Sequence, residues 1–467
     1  MSRERTFEVA IPAPGVDGTV YRRIWDLAWP VSISMSTSTL LTLVNLFWIG
    51  RFGTAAVAAV SVCGNILFII FGLSNVVYAG SLAIVARRVG EGNLRAAGVA
   101  ALHGVCLAAM LGLFVALAGY AAAPGVIGFF ETGADVAGVA LSYLRLMLFG
   151  QVFLFVVVAL SASYQATGDA RTPMLVNVVV VLLNGLLDPF FIFAPGALHV
   201  GGFDLGWLGW GVDGAAIAAV LSGAVGCALF LGIAAATGKP FPRPSRGEWM
   251  LEPRHFWHML RIGAPAGVSM IARPLSTFLL LKVIASFGTA AIAAFGIALR
   301  SFSVNWIPYA GLNTAVSTLV GQSLGARNLP RAERVVRRGL GISAVLGVAF
   351  CALYYGFARE IILAFDREPA VVAAGAPFLQ LIALSFLFSA PMYPLVSAMN
   401  GAGDTKPPMV TAFLANWLVK LPLCWALAIP FGYGVDGVWI GMFASIVFEA
   451  LAMFAWYWRG TWKTRQV

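Results

Sequence analysis

The sequence predicts an all-α polytopic membrane protein, with twelve transmembrane helices in two six-helix lobes related by a pseudo-two-fold repeat. Of its 467 residues, 60% are hydrophobic and only 11% are charged, whereas about a quarter of a soluble domain is charged. Its apolar segments reach the roughly 20 residues that a spanning helix needs. The strands of a membrane barrel would instead alternate in segments of about ten residues. In addition, the second half of the chain repeats the first.

Each lobe is predicted to contain six apolar segments separated by polar loops. In the first lobe they lie at about 26–49, 57–80, 97–120, 137–160, 174–194 and 212–236. In the second lobe they lie at about 260–284, 290–315, 338–357, 371–396, 409–430 and 435–457. The five cysteines all fall in these segments without CxxC spacing, so we expect neither disulfides nor a metal site. Residues 1–23 are polar and basic, and we expect no cleavable signal there.

The internal repeat has a constant register over most of its length. Pro30 and Pro265 are separated by 235 residues, as are the nearly identical segments 52–59 and 287–294. The same separation relates Gly90 to Gly325, Asn93 to Asn328, and the loop 168–174 to the loop 403–409. Because six is an even number, both lobes have the same orientation, and we expect an axis along the membrane normal to relate them.

The distribution of basic residues predicts the orientation in the membrane. One set of loops, together with both termini, carries 22 Lys and Arg residues, and the opposite set carries 3. Basic loops face the cytoplasm, so we expect cytoplasmic termini in an inner membrane. The net charge of +10 is then explained by orientation, and no nucleic-acid partner is expected. The predicted parts are a cytoplasmic segment 1–23, an N-lobe 24–236, a cytoplasmic linker 237–258, a C-lobe 259–457 and a cytoplasmic tail 458–467.

The fifth apolar segment contains the strongest candidate site. Asn184 and Asp188 are four residues apart, so they lie on one face of a helix, and Pro189 follows at once. A carboxylate within hydrocarbon costs roughly 2.5–3.5 kcal/mol on insertion scales and is tolerated beside a partner or a wet cavity. Asp188 is therefore a candidate cation-binding carboxylate with Asn184 as its second ligand. The alternative is a structural Asp that caps a break in the helix.

Other N-lobe residues are candidates for the same site. Asn45 is buried in the first segment and needs partners, among which Asp188 is one; the alternative is a contact between helices. Tyr143 is a weaker candidate, because a tyrosine at a helix end is more often an interface anchor. Pro30 and Pro265 open the first segment of each lobe, and each is interpreted either as a hinge or as a static kink.

The C-lobe differs in the sign of its charges. It carries Arg273, Lys282, Arg300 and Lys420 in or near its apolar segments, with Glu449 as the acid among them. One cation is expected to pair with Glu449 and others to extend towards the membrane surface. If two or more face a central cavity, that lobe would attract anionic or zwitterionic solutes. Soluble-enzyme motifs such as the P-loop, GxSxG and HExxH are not found, so we predict neither an enzyme nor a bound cofactor.

The chain resembles the MATE family of multidrug and toxic compound extrusion transporters. The resemblance covers nearly the whole chain and rests on loose motifs in a specific order: 27–30, 44–53, the loops 168–173 and 403–408, and 211–216. It implies secondary active antiport, in which proton or sodium entry drives export of organic, often cationic and amphipathic, compounds by rocking of two lobes. Asn184, Asp188 and Pro189 look like the DinF-type branch, which binds the coupling cation in the N-lobe.

Two departures from that branch bear on the coupling ion. Asn45 stands where such members usually have Asp, and Ala219 stands where they tend to have Thr. Fewer hard oxygens weaken a sodium site, whereas a single buried carboxylate still binds a proton, because loss of hydration favours the neutral acid. We therefore favour protons and keep sodium as the alternative. Arg273 and Ser389 occupy positions where the NorM-type branch has acids, so that mechanism is not expected.

The sequence therefore predicts a multi-pass antiporter, expected to be monomeric, with a small organic substrate and the lipid bilayer as its partners. Three other readings stay open. One is an exporter of organic acids, and another is a flippase for lipid-linked precursors from the same superfamily. The third is a membrane enzyme or receptor without transport, against which the two-fold repeat argues, because alternating access uses such symmetry.

Overall fold

A computed structural model describes residues 17–130, 133–197, 199–200, 203–204, 206–238 and 252–465. Within these ranges twelve helices are long and apolar enough to span a membrane. This confirms the predicted all-α polytopic class. Most of the helices exceed the length of the apolar segments from which they were predicted.

The N-lobe consists of six long helices. They are α1 (Asp17–Gly50), α2 (Thr54–Gly90), α3 (Leu94–Phe129), α4 (Ala134–Ala166), α5 (Arg171–Ile192) and α6 (Gly211–Thr237). Between α5 and α6 lies a small antiparallel hairpin of β1 (His199–Val200) and β2 (Phe203–Asp204). This hairpin falls in the Gly- and Trp-rich loop that the C-lobe lacks.

The C-lobe repeats this plan with additional short elements. Its long helices are α7 (Pro253–Ala285), α8 (Thr289–Gly325), α9 (Leu329–Gly356), α11 (Pro369–Gly401) and α14 (Gly434–Trp458). The short helices α10 (Ala358–Phe365) and α15 (Thr461–Thr464) lie at the ends of long ones. One spanning segment is composite: α12 (Lys406–Phe413), a π-helical turn (Leu414–Lys420) and α13 (Leu421–Ala428).

Several helix ends lie outside the boundaries drawn from the apolar segments. Helix α1 begins at Asp17, inside the segment 1–23, and α7 begins at Pro253, inside the linker 237–258. Arg is a good helix former, so α1 and α7 extend beyond their apolar stretches through Arg22, Arg23 and Arg254. Residues 1–16 of the first segment, 239–251 of the linker and 466–467 of the tail lie outside the described residues.

Caps at corresponding positions reflect the repeat. The side chain of Asn93 accepts a hydrogen bond from Ala96 N (2.9 Å) at the start of α3. The side chain of Asn328 accepts one from Arg331 N (3.0 Å) at the start of α9. An Asn at this position satisfies a backbone N–H that lacks a partner within the helix. The two halves therefore use the same residue to begin the same helix.

The lobes meet along α1 and α8, α2 and α7, and α2 and α8. At the end of α2, Gly90 packs against the backbone of Gln322, and Gly325 at the end of α8 packs against the backbone of Arg87. A side chain at either glycine would overlap that backbone, so glycine permits the close approach. These ends lie on the same side of the molecule as the start of α1 and the end of α14, here called the terminal face.

Hydrogen bonds between the lobes lie on the same side of the molecule. The Tyr78 hydroxyl is 3.1 Å from Thr314 Oγ1, and Gln322 Nε2 donates to Ala166 O at 2.8 Å. Nearer the middle of the helices, Ser32 Oγ donates to Ile307 O at 3.3 Å. All of these contacts lie between the middle of the helices and the terminal face. The lobes are therefore in contact at the terminal face in this conformation.

Candidate functional site

The predicted pair on α5 is brought together inside the N-lobe. Asn184 is 2% exposed and Asp188 is 0% exposed, so both are fully withdrawn from the surface. Asn184 Nδ2 donates to Asp188 Oδ1 at 3.2 Å, as expected for residues four apart on a helix. Pro189 lies in the last turn, and α5 ends shortly after it at Ile192. The site therefore lies where the regular helix is about to end.

Asn45 reaches the same site from α1. In one orientation of its amide, Asn45 Nδ2 donates to Asn184 Oδ1 at 3.3 Å. In the flipped orientation the nitrogen donates to Asp188 Oδ2 at 2.5 Å and to Leu41 O at 3.2 Å. The first orientation places the amide oxygen against the carboxylate, which is favourable only if that carboxyl group carries a proton. The second suits an ionised carboxylate.

Tyr143 also belongs to this region, although its position on α4 left an interface role open. It is 9% exposed and lies within electrostatic range of Asp188. A tyrosine that anchors a helix end at the membrane surface would be more exposed. The structure thus brings Asn45, Tyr143, Asn184 and Asp188 together, from three different helices.

The charge of the N-lobe site comes from a single acid. Within the described part of the chain, Asp188 has no cationic partner, and its contacts are the amides of Asn45 and Asn184. No group of three or more His, Cys, Asp or Glu side chains that would suit a metal ion occurs among the described residues. An ionised carboxylate in this position is poorly solvated, so binding of one positive ion relieves its desolvation.

The predicted hinge prolines lie inside continuous helices. Pro30 is buried within α1, and Pro265 is buried within α7. A proline cannot donate the backbone hydrogen bond that would support the preceding turn, which makes these turns easier to bend. Both prolines therefore occupy corresponding positions in the helices that form much of the contact between the lobes.

A second polar network lies inside the C-lobe. Arg273 on α7 forms an ion pair with Glu449 on α14, with 2.5 Å between the Arg nitrogen and Oε1. Asn416 Nδ2 donates to Glu449 Oε2 at 3.4 Å, and its oxygen accepts from Lys420 Nζ at 3.0 Å. Lys420 also donates to Thr277 Oγ1 at 3.2 Å. The partner expected for Glu449 is therefore Arg273.

The remaining predicted C-lobe cations lie elsewhere. Lys282 is exposed in the last turn of α7, and Arg300 is exposed on α8. Sequence reasoning missed Asn416 and Thr277 as members of the network. A signal for Asn416 was present, because Asn416 and Lys420 are four apart in an apolar segment, the same spacing as Asn184 and Asp188. Thr277 is one of many hydroxyl residues in these helices and has no comparable signal.

Comparison with known proteins agrees with the repeat and the fold. The family model described as MatE matches residues 30–190 and again 265–426, so the two matches begin at the corresponding prolines Pro30 and Pro265. The "Probable multidrug resistance protein NorM" of Thermotoga maritima is 25% identical over 96% of this chain and 94% of its own. The "Probable multidrug resistance protein YoeA" of Bacillus subtilis is 25% identical over 96% of each chain.

Solved structures show the same fold. A Vibrio cholerae MATE transporter aligns with a TM-score of 0.86 at 22% identity, covering 96% of this chain and 99% of the other. An outward-facing multidrug resistance MATE family transporter of the MOP superfamily aligns with a TM-score of 0.85 at 22% identity. That alignment covers 94% of this chain and 96% of the other. The two six-helix lobes are thus a known arrangement.

Proposed function

The chain belongs to the MatE family, a family of membrane transporters rather than enzymes, and we propose that it is a secondary antiporter that exports organic compounds. Its relatives are named as multidrug resistance proteins, which supports small amphipathic organic compounds, including cationic ones, as substrates. The protein acts as a monomer in the inner membrane, with both termini in the cytoplasm. The excess of basic residues in the terminal-face loops supports this orientation.

The coupling ion is a proton, bound by Asp188. The observation that carries this assignment is a fully buried carboxylate with two amide contacts and no cationic partner among the described residues. One proton neutralises Asp188 completely, and the Asn45 amide offers its oxygen to the protonated acid or its nitrogen to the ionised one. Sodium would need several hard oxygens, and the site offers a single carboxylate beside two neutral amides.

Proton binding changes the contact between α1 and α5. Because Asn45 belongs to α1 and Asp188 to α5, protonation alters the hydrogen bond that joins the two helices. Bending at Pro30, and at Pro265 in the C-lobe, then lets the contact at the terminal face open while the opposite side closes. The substrate is released on the side away from the termini, and a proton enters in exchange.

Separate ion gradients test the coupling. The purified protein is reconstituted in proteoliposomes, and efflux of a fluorescent cationic dye is followed under a pH gradient or a sodium gradient alone. We expect the pH gradient to drive dye movement against its concentration gradient and the sodium gradient to have no effect. Sodium-driven movement at constant pH would contradict proton coupling, and no gradient-driven flux of any solute would contradict antiport itself.

A further inference from the structure

The C-lobe network contains more positive than negative charge. Arg273 and Lys420 lie together with one carboxylate, that of Glu449. We propose that Arg273 and Lys420 form a subsite for an anionic group, a carboxylate or a phosphate, on the exported compound. This inference rests on the proposed export function and names one chemical class among its substrates: anionic or zwitterionic amphipathic compounds.

Lys420 provides the uncompensated charge. It is 5% exposed, and its ammonium donates to Asn416 Oδ1 and Thr277 Oγ1, both of which are neutral groups. An ammonium has three donors, so one remains for a ligand. Charged side chains inside a membrane protein usually pair with each other or mark a substrate pathway. Glu449 already pairs with Arg273, so an anion bound beside Lys420 would balance the charge of its ammonium.

Arg273 provides access to the subsite. Its side chain is 41% exposed although its partner Glu449 is 6% exposed. Arg273 lies near the middle of α7, where intramembrane charges face a wet cavity rather than lipid. One terminal nitrogen contacts Glu449, and the guanidinium has further donors in a planar fork that suits carboxylate and phosphate oxygens. A ligand would therefore meet Arg273 first and extend its negative group towards Lys420.

The local backbone places both polar residues of the composite segment on one side. Asn416 and Lys420 belong to the π-helical turn Leu414–Lys420. Pro422 follows and has no N–H for the preceding turn, which favours an irregular backbone here. Single π-helical turns inside α-helices occur frequently at functional sites. Asn416 then orients both charged partners, since it donates to Glu449 and accepts from Lys420.

Aromatic side chains lie beside the network. Tyr393 is within electrostatic range of Arg273 and Glu449, and its ring centroid is 5.0 Å from that of Tyr309. The Tyr309 hydroxyl is buried and has no hydrogen-bond partner among the described residues. Trp306 adds a third ring, 5.6 Å from Tyr393. Tyr309 is 2% exposed, whereas Trp306 is 42% exposed, so the Trp306 ring is the one that fits a flat aromatic body attached to the anionic group.

Binding of matched compounds tests the subsite without any gradient. The purified protein in detergent is titrated with naphthylacetate, naphthylacetamide, naphthylmethylammonium and naphthyl phosphate, and affinity is measured calorimetrically. We expect naphthylacetate or naphthyl phosphate to bind at least about tenfold more tightly than naphthylacetamide, because one hydrogen bond to a charged group contributes about that much to affinity. The stronger of the two identifies the preferred anion. Equal affinities for anion and amide, or tighter binding of the ammonium compound, would overturn the assignment.

Variants distinguish an anion subsite from a structural network. Lys420→Met is expected to remove the preference for the anion, while Lys420→Arg retains it. Glu449→Gln frees Arg273 from its partner, so anion affinity should rise, which a purely structural ion pair would not produce. Lys282→Met, an exposed cation on α7 outside the network, is the matched control and should change nothing. Unchanged anion affinity in Lys420→Met, or reduced affinity in Glu449→Gln, would contradict the subsite.

The same assay separates this inference from the proposed coupling. Asp188→Asn alters the N-lobe, so it should leave the preference for the anion intact even where it abolishes proton-driven flux. If the preference is absent while Asp188 still couples proton entry, only the anion subsite is wrong. If the preference is present but no gradient drives flux, only the antiport function is wrong.

Discussion

In the flipped orientation of its amide, Asn45 on α1 places its nitrogen 2.5 Å from Asp188 Oδ2 on α5. This contact joins the helix that contains Pro30 to the helix that carries the buried acid. An amide has a donor and an acceptor on the same carbon, so it can contact both the ionised and the protonated carboxyl group. Asn45 therefore responds to the charge of Asp188 without adding a charge of its own.

Replacing Asn45 by Asp tests whether the lack of a second acid in the site determines the choice of coupling ion. Asn45→Asp places two carboxyl groups in contact and adds a hard, negatively charged oxygen ligand of the kind that a metal cation prefers. We expect transport by the variant to become stimulated by sodium at constant pH. Dye efflux is compared in sodium chloride and choline chloride. No difference between the two salts in the variant would show that the number of carboxylates does not set the ion preference.

The hydrogen bond from Asn184 is expected to hold Asp188 in its productive position. Asn184→Leu removes this bond to a charged group, and we expect proton-driven efflux to fall about tenfold. Asn177→Leu is the matched control. Asn177 lies on the same helix and also contacts α1, through Ser34 O at 3.1 Å and Ser38 Oγ at 3.2 Å.

Comparing Asn184→Leu with Asn177→Leu distinguishes an amide that positions the Asp188 carboxylate from one that only joins α1 to α5. Asn177→Leu should retain most of the efflux, because Asn177 makes its contacts away from Asp188. Equal losses in Asn177→Leu and Asn184→Leu would indicate that contact between α1 and α5, rather than the position of the carboxylate, limits transport. Rates are normalised to the amount of folded protein in the vesicles.

The glycines at the terminal face are expected to be necessary for closure. Gly90→Val or Gly325→Val would force a side chain against the backbone of the other lobe. Overpacking of this kind costs about 1–3 kcal/mol, so the closed arrangement should become the minor one. Gly64→Val on the same helix is the control, because nothing lies within 4 Å of its Cβ position.

The accessibility of an introduced cysteine to a labelling reagent measures how far the terminal face is open. In inside-out vesicles, a single cysteine introduced at Thr314 on α8, whose Oγ1 lies 3.1 Å from the Tyr78 hydroxyl of the other lobe, is labelled with an impermeant reagent in a variant without the native cysteines. Labelling should be faster in Gly90→Val than in Gly64→Val. Equal labelling in both variants would mean that the glycine contact does not control closure.

The helices could be predicted from the sequence because a segment that spans hydrocarbon must be a long apolar run. The duplication could be predicted because Pro30 and Pro265 are separated by the same 235 residues as the other repeated segments. Helix ends were less predictable: Arg87 and Arg88 continue α2 beyond the apolar run as regular helix. The pairing of Asn184 with Asp188 followed from helical spacing. The choice of Arg273 as the partner of Glu449 depends on how α7 and α14 pack against the composite segment 406–428, and the π-helical turn has no clear sequence pattern. The Arg273–Glu449 pair and the π-helical turn are therefore seen only in the structure.

The most direct test of the central claim is proton-driven efflux by Asp188→Asn in proteoliposomes, beside Asp213→Asn as a control. Asp213 is an N-lobe acid that accepts a hydrogen bond from Ser142 Oγ at 2.5 Å and is not a hydrogen-bond partner of Asp188, Asn184 or Asn45. We expect Asp188→Asn to lose all efflux against a concentration gradient while still binding substrate, and Asp213→Asn to retain efflux. Efflux by Asp188→Asn at the rate of the unmodified protein would contradict the role of Asp188 as the proton-binding group.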